Sequence, residues 1–121
     1  MVATSIMSTD AEMNAMAGKN VDVTGWTDAN KTAWGLHAES FLNNLTHYNF
    51  SDKFATLNVD VKYILSEYVA RYVAVCGITY NMNSYPSRIE AEDMINVHTF
   101  RIQEIEKLLT KEGALDFLKG A

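Results

Sequence analysis

The scarcity of chain breakers is the feature that most restricts how this chain can fold. Only one proline, Pro86, and six glycines occur among 121 residues, so long stretches contain nothing that would end a helix. Within those stretches apolar residues recur every three or four positions, which is the spacing of one face of an α-helix. The sequence therefore predicts an all-α protein, a small helical bundle of three main helices with a short N-terminal helix and a C-terminal docking tail.

The length of the chain predicts a single domain over residues 1–121, because two separate cores would each lie near the lower size limit for folding. The core is expected over about residues 28–112, with a short helix and a loop in residues 1–26 and the tail in residues 114–121. Hydrophobic residues make up 48% of the chain, which is enough for a core. A long uncharged stretch, residues 73–87, is too polar and broken to span a bilayer, so no membrane association is expected.

Capping signals predict where two of the helices begin. Thr9 with Glu12 forms a capping box ahead of the short N-terminal helix, and Ser87 with Glu90 forms another ahead of the last helix. The last helix is expected to run until Gly113 stops it. Its core stripe is predicted to be Ala91, Met94 or Ile95, His98, Ile102, Ile105, Leu108 and Leu109.

The second helix is predicted to begin at Thr27 or Asp28, where a side-chain oxygen can accept hydrogen bonds from the first turn, and to run to about His47. Its apolar residues recur at steps of four, three, one and three, which predicts one buried side. That predicted core face consists of Trp34, Ala38, Phe41, Leu42 and Leu45.

The third helix is the most apolar element and is predicted to run from Asn58 or Val59 to about Tyr80. Its β-branched residues would also suit a strand, but a run of this length without a central turn signal favours a helix. Glu67 and Arg71 are four residues apart, so they are expected to form an ion pair across one turn. Because the rest of the circumference is nearly all apolar, we expect this helix to be the central one.

Charge and motifs point away from catalysis and from nucleic-acid recognition. Ten Lys and Arg residues against fifteen Asp and Glu residues give a net charge of −5, so no broad cationic surface is available for phosphates. The three histidines lack the spacing of a helical zinc site, and Cys76 has no second cysteine in the chain to pair with. His98 is interpreted as a hydrogen-bonded core or interface histidine. We predict a protein that is not an enzyme, with no catalytic residue, no cofactor and no metal ion.

Tyrosines and the C-terminal tail provide the candidate interface residues. Tyrosine combines a large apolar area with a polar end, which suits positions that a partner buries. The tail has three large apolar residues in a segment too short to bury them itself, so it needs a surface to dock on. The candidate interface residues are Tyr68, Tyr72, Tyr85, Leu115, Phe117 and Leu118.

Three segments carry a resemblance to a known family. They are residues 38–51 (AESFLNNLTHYNFS), residues 63–67 (YILSE) and residues 85–97 (YPSRIEAEDMINV). Together they resemble small all-helical head-to-tail connector proteins, also called adaptor or head-completion proteins, of tailed bacteriophages. The resemblance extends over roughly residues 28–109.

This resemblance implies a virion structural protein made in the host cytoplasm and located in the neck between capsid and tail. Such proteins assemble as a ring, typically of twelve copies, beneath the portal protein. The ring extends the DNA channel without sequence-specific DNA binding and docks the next connector or tail component. The expected partners are therefore other copies of the chain, the portal protein and a downstream connector or tail protein.

Two functions of other classes stay open on the residues alone. One is a small helical protein-binding or regulatory module that holds a partner helix in a groove and has no enzymatic activity. The other is an all-α enzyme that uses Glu67 and Arg71 with a tyrosine in a bundle pocket.

Overall fold

The most apolar segment of the chain forms the central helix of the fold. The structure is a computed structural model that describes residues 5–81, 85 and 87–111, and these contain five α-helices. The helices are α1 (Asp10–Ala17), α2 (Asp28–Thr46), α3 (Phe50–Lys53), α4 (Val59–Tyr80) and α5 (Arg88–Thr110), with a 3-10 turn at Phe54–Thr56. The predictions of an all-α bundle and of a helix rather than a strand in the third apolar segment are confirmed.

α4 lies between α1, α2 and α5 and packs against all three. A helix that is apolar around most of its circumference has to be covered on several sides. Each large apolar side chain that is fully buried contributes about 1.5–3 kcal/mol, so α4 supplies much of the stability of the core. Its buried residues are Val61, Leu65, Tyr68, Val69, Ala70, Val73, Ala74, Gly77 and Ile78.

The helices begin at the predicted caps, with one difference. The Thr9 N–H donates to Glu12 Oε1 (2.8 Å) and the Glu12 N–H donates to Thr9 Oγ1 (3.2 Å), so the first capping box is complete. At α5 the Glu90 N–H donates to Ser87 Oγ (3.0 Å), but the Glu90 carboxylate accepts from Asn20 Nδ2 (3.4 Å). The structure therefore shows only the Ser87 half of the second box. α5 ends at Thr110, and the predicted stop at position 113 lies outside the described residues.

α2 buries a different face from the predicted one. Of the predicted face, Ala38 and Leu42 are buried, whereas Phe41 is 46% exposed and Trp34 and Leu45 are only partly buried. The buried face of α2 is rotated from the predicted stripe because the N-terminal region also covers this helix. Met13 of α1 and Ser5 lie against Gly35. The buried residues of α2 are Lys31, Gly35, Ala38, Glu39, Leu42 and Thr46.

Two charged residues of this rotated stripe have partners in the N-terminal region. Lys31 Nζ donates to Asp10 Oδ1 at 2.7 Å and lies 5.1 Å from the ring centre of Trp26. Glu39 Oε2 accepts from the Met7 N–H at 3.2 Å. A buried charge without such partners would be strongly destabilising, so the N-terminal region makes the burial of both residues tolerable. Met7 itself belongs to the main core, which therefore extends before residue 28.

The loop between α1 and α2 packs closely against the C-terminal half of α4. A Cβ atom at Gly77 would collide with Cε3 and Cζ3 of the Trp26 ring. Hydrogen bonds hold the loop in this position: Trp26 Nε1 donates to Asn14 Oδ1 (2.7 Å), and Asn81 Nδ2 donates to Asp22 Oδ2 (2.8 Å). Glycine at position 77 is therefore required for the loop to approach α4.

We expect Gly77→Ala to destabilise the protein although alanine is the better helix former. Alanine in place of glycine gains about 0.5–1 kcal/mol inside a helix, whereas overpacking a buried contact costs about 1–3 kcal/mol. The expected net loss in the free energy of unfolding, measured by urea denaturation, is roughly 1–2 kcal/mol. The matched control is Gly77→Ala in a Trp26→Ala background, where the substitution should stabilise. Stabilisation in the wild-type background would contradict the Trp26 contact.

Candidate functional site

α5 has a second apolar face that the rest of the bundle leaves uncovered. We call its four residues the outer stripe; they are between 51% and 69% exposed and comprise Ile89, Val97, Phe100 and Leu108. With 3.6 residues per turn, they lie within a sector of about 100°. The buried residues of α5 lie on the other side of the helix and are Ala91, His98, Ile105 and Leu109. Apolar side chains aligned along one exposed face are typical of an interaction site.

An open groove of about 560 Å³ lies between α1 and α5, beside the N-terminal half of the outer stripe. Met16 of α1 and Met94 of α5 line it, together with two residues of the outer stripe. Glu90 and Asp93 also line the groove and make it acidic. This α1/α5 groove therefore suits an apolar segment flanked by basic residues.

A second groove, of about 350 Å³, lies between α2, α4 and α5, and we call it the Cys76 groove. Its lining residues are Phe41, Tyr68, Tyr72, Val75, Cys76, Thr99, Ile102 and Glu106. Burial raises the pKa of the Cys76 thiol above its ordinary value, so the thiol is protonated at neutral pH. Because the thiolate is the reactive form of cysteine, this groove presents apolar surface rather than a nucleophile.

An ionic cluster joins α4 to α5. Glu67 Oε2 accepts from Arg71 Nε at 2.8 Å and from Arg101 Nε at 2.7 Å. These contacts hold the pKa of Glu67 below its ordinary value, and the hydrogen bond from Arg101 is the largest cause. The predicted Glu67–Arg71 pair is confirmed. Because Arg101 comes from another helix, residue spacing could not reveal its part in the cluster.

His98 connects this cluster to α1. Its Nε2 lies 2.9 Å from the Met16 carbonyl oxygen, and its Nδ1 lies 3.0 Å from Arg71 Nη1. A carbonyl can only accept and a guanidinium can only donate, so Nε2 carries the proton and the imidazole is neutral. Burial is the main cause that lowers the pKa of His98, and the charge of Arg71 lowers it further, against the opposing effect of the Met16 hydrogen bond. The prediction of a hydrogen-bonded core histidine is confirmed.

The state of His98 predicts how stability depends on pH. In the unfolded chain the imidazole takes up a proton near pH 6.5, whereas in the folded protein its lowered pKa delays this uptake. Just below pH 6.5 the unfolded state therefore binds more protons than the folded state. As the pH falls through this interval, the free energy of unfolding should decrease by up to about 1.4 kcal/mol per pH unit. Urea unfolding between about pH 8 and pH 5 measures this slope.

The His98→Gln variant is the control for this pH dependence. It removes the titrating ring, so its free energy of unfolding should vary less over the same interval. Glu67 does not interfere, because a carboxylate with a lowered pKa loses its stabilising effect only below its unfolded value of 4.5. Equal slopes for the variant and the wild type would contradict the neutral, buried state of His98.

Two of the predicted interface tyrosines are core residues of the monomer. Tyr68 and Tyr85 are 0% and 5% exposed, which corrects the prediction that they lie at an interface. Tyr68 donates its hydroxyl to Glu106 Oε2 (2.7 Å), and Tyr85 donates its hydroxyl to the Ala17 carbonyl oxygen (3.0 Å). Both polar ends therefore have partners within the chain. Burial is the main cause that raises the pKa of each of these tyrosines.

The other predicted interface residues lie in different places. Tyr72 is partly buried in the Cys76 groove, with its ring centre 6.4 Å from that of Tyr68. Leu108, which is predicted to be in the core, is 51% exposed on the outer stripe instead. Sequence reasoning missed Val97 and Phe100, although their three-residue spacing on a helix was a visible signal. The tail residues Leu115, Phe117 and Leu118 lie outside the described residues.

The described parts of the chain place limits on other kinds of site. Residues 5–81, 85 and 87–111 contain no group of three or more His, Cys, Asp or Glu side chains arranged to hold a metal ion. Within the same ranges, no helix combines the length and the apolar character that crossing a membrane requires. Each buried side-chain nitrogen or oxygen there has a hydrogen-bond partner.

Comparison with known proteins adds no relative. The chain matches no protein-family model, no curated protein and no solved structure. The resemblance to phage connector proteins therefore stays a prediction, and the function has to be inferred from the surfaces of the fold.

Proposed function

We propose that this chain is a structural subunit of the head-to-tail connector of a tailed bacteriophage and assembles as a ring beneath the portal. The outer stripe of α5 is the observation that carries this proposal. Covering apolar surface yields about 25 cal/mol for each Å² removed from water, so four large exposed side chains on one helix favour association. A subunit that is completed by its neighbours would have such a surface.

A ring built from identical copies needs two different contact surfaces on each copy. The outer stripe would be one of them. Val59 and Tyr63, four residues apart on α4, are 58% and 70% exposed and provide a second apolar patch. Copies that join stripe to patch would close into a ring when the rotation between neighbours divides the circle. In the family that the chain resembles, that ring typically has twelve members.

The charge of the chain is compatible with a channel through which DNA passes. The net charge is −5, and a wall of this sign would not retain DNA through phosphate contacts. Arg71 and Arg101 are both bound to Glu67, so their charges are partly neutralised within the chain. This supports a role in which DNA passes through the ring without sequence-specific binding. The portal protein and the next connector or tail component would be the binding partners of the ring.

Co-expression with the portal protein of the same genome tests the proposal. We expect the two proteins to co-purify as a complex in which several copies of this chain form a ring, visible by electron microscopy and by native mass measurement. The chain alone can be monomeric, because the portal can provide the template for assembly. Binding to no portal or tail component of that genome, or a genome without a portal gene, would overturn the proposal.

Phe100→Glu is expected to prevent assembly without unfolding the subunit. A carboxylate at this exposed position would have to be desolvated when a neighbour covers the outer stripe, which costs several kcal/mol. The measurement is the amount of the chain that co-purifies with the portal, together with the melting temperature of the isolated subunit. Gln103→Glu is the matched control, since it adds the same charge one turn away at an exposed position outside the outer stripe. Equal assembly of both variants would exclude the outer stripe as a contact surface.

A second candidate function is a helical module that binds another protein and has no enzymatic activity. The observation that favours it is the α1/α5 groove of about 560 Å³, whose apolar lining could hold one face of a partner helix. The two functions differ in stoichiometry. A module of this kind binds one partner per copy and forms no ring, so the mass of the native complex distinguishes it from a connector subunit.

A further inference from the structure

The α1/α5 groove combines an adaptable apolar lining with negative charge. Met16 and Met94 contribute flexible side chains, which adjust readily to the shape of a partner. Glu90 and Asp93 line the same groove, and Asp93 is exposed. Within the described ranges Asp93 forms no ion pair. The groove therefore offers apolar area together with a carboxylate that has no counter-charge there.

The first turns of α4 offer the complementary features. Val59 and Tyr63, which we call the α4 patch, are 58% and 70% exposed. Lys62 lies next to them, with its Nζ 5.9 Å from the ring centre of Phe54. Among residues 5–81, 85 and 87–111, Lys62 has no carboxylate as an ion-pair partner. Tyrosines are among the residues that most often carry binding energy, so the α4 patch presents a suitable anchor with a positive charge beside it.

The groove and the α4 patch are too far apart to meet within one chain. α4 and α5 are antiparallel, because Glu67 contacts Arg101 whereas Arg71, one turn later, contacts the earlier His98. The α4 patch ends four residues before Glu67, and the acidic residues of the groove lie eight or more residues before Arg101. The two surfaces are therefore at least about 18 Å apart along the bundle, toward opposite ends of it. The groove can receive the patch of a second copy, but not its own.

We propose that the α1/α5 groove of one copy binds the α4 patch of the next copy, with the Tyr63 ring inserted into the groove and Lys62 opposite Asp93. The groove volume of about 560 Å³ lies within the range of about 300–1,000 Å³ that is typical of sites for apolar groups. Two residues of the outer stripe line the groove, so the contact also covers the N-terminal half of that stripe. This inference rests on the proposed ring and names the residues that join its subunits.

Zero-length cross-linking tests the contact directly. A carbodiimide joins an amine to a carboxylate only where the two touch, so the expected product links Lys62 to Asp93 or Glu90. Equal amounts of unlabelled and isotope-labelled chain are mixed, and peptides of mixed isotope content identify products formed between copies. The reaction is carried out on the isolated chain at increasing concentration and on its complex with the portal protein.

Reversal of the two charges provides the matched control. Asp93→Lys and Lys62→Glu each bring like charges together, so each should weaken association between copies by roughly tenfold. The double variant keeps the net charge of the wild type and pairs opposite charges again, so it should associate as the wild type does. A mixture of the two single variants should also associate, because every contact in an alternating assembly pairs opposite charges. Sedimentation equilibrium measures the isolated chains, and co-purification with the portal protein measures the ring.

The outcomes distinguish this inference from the connector function. A ring on the portal without the Lys62 cross-link, or with equal assembly of all variants, would overturn the inference and leave the connector function in place. The cross-link and the restored association in the isolated chain, without binding to the portal, would support the inference although the connector function fails. Cross-links from the groove to the portal protein, or no association between copies in either setting, would overturn the inference.

Discussion

The burial of α4 is the constraint on which the rest of the structure depends. Its four charged residues all lie in the first thirteen positions, between Asp60 and Arg71, and the remainder up to Tyr80 has none. Such a helix cannot be left in water, so α1, α2 and α5 cover it from three directions. The loop before α2 adds to this cover, because Trp26 packs over Gly77. The short N-terminal helix is therefore part of the core rather than an appendage to it.

Covering α4 takes charged side chains partly or fully out of water, and the fold pairs them. Lys31 of α2 is held by Asp10 of α1, and Arg71 of α4 is shared between Glu67 and His98. The first contact joins α2 to α1, and the His98 contact joins α4 to α5, whereas the Glu67 contact joins successive turns of α4. A paired buried charge gains little stability over an apolar residue, so the Lys31–Asp10 pair makes the burial of Lys31 tolerable rather than adding much to the stability of the core.

Local signals explain what the sequence could predict. The Thr9–Glu12 box and the long uninterrupted spacing of α4 depend on neighbouring residues, and the structure has both. The buried face of α2 depends instead on tertiary contacts, since Glu39 accepts hydrogen bonds from the Met7 N–H before α1 and from Ser51 Oγ of α3. Tyr68 illustrates the same limit, because the partner of its hydroxyl lies 38 residues away. For the candidate site, the sequence shows where each apolar residue lies along α5, but it does not show which side of the helix the bundle covers.

α5 contributes to two apolar surfaces, which differ in their distance from the C-terminal end of the helix and in the direction that they face. One edge of the helix borders the Cys76 groove, which lies about 6–17 Å back from Thr110 along the helix axis. The outer stripe faces away from α4 and extends from Leu108 back to Ile89, about 29 Å along the helix axis. No helix of the described residues covers the outer stripe, and for this reason it supports the proposed assembly more strongly than either groove.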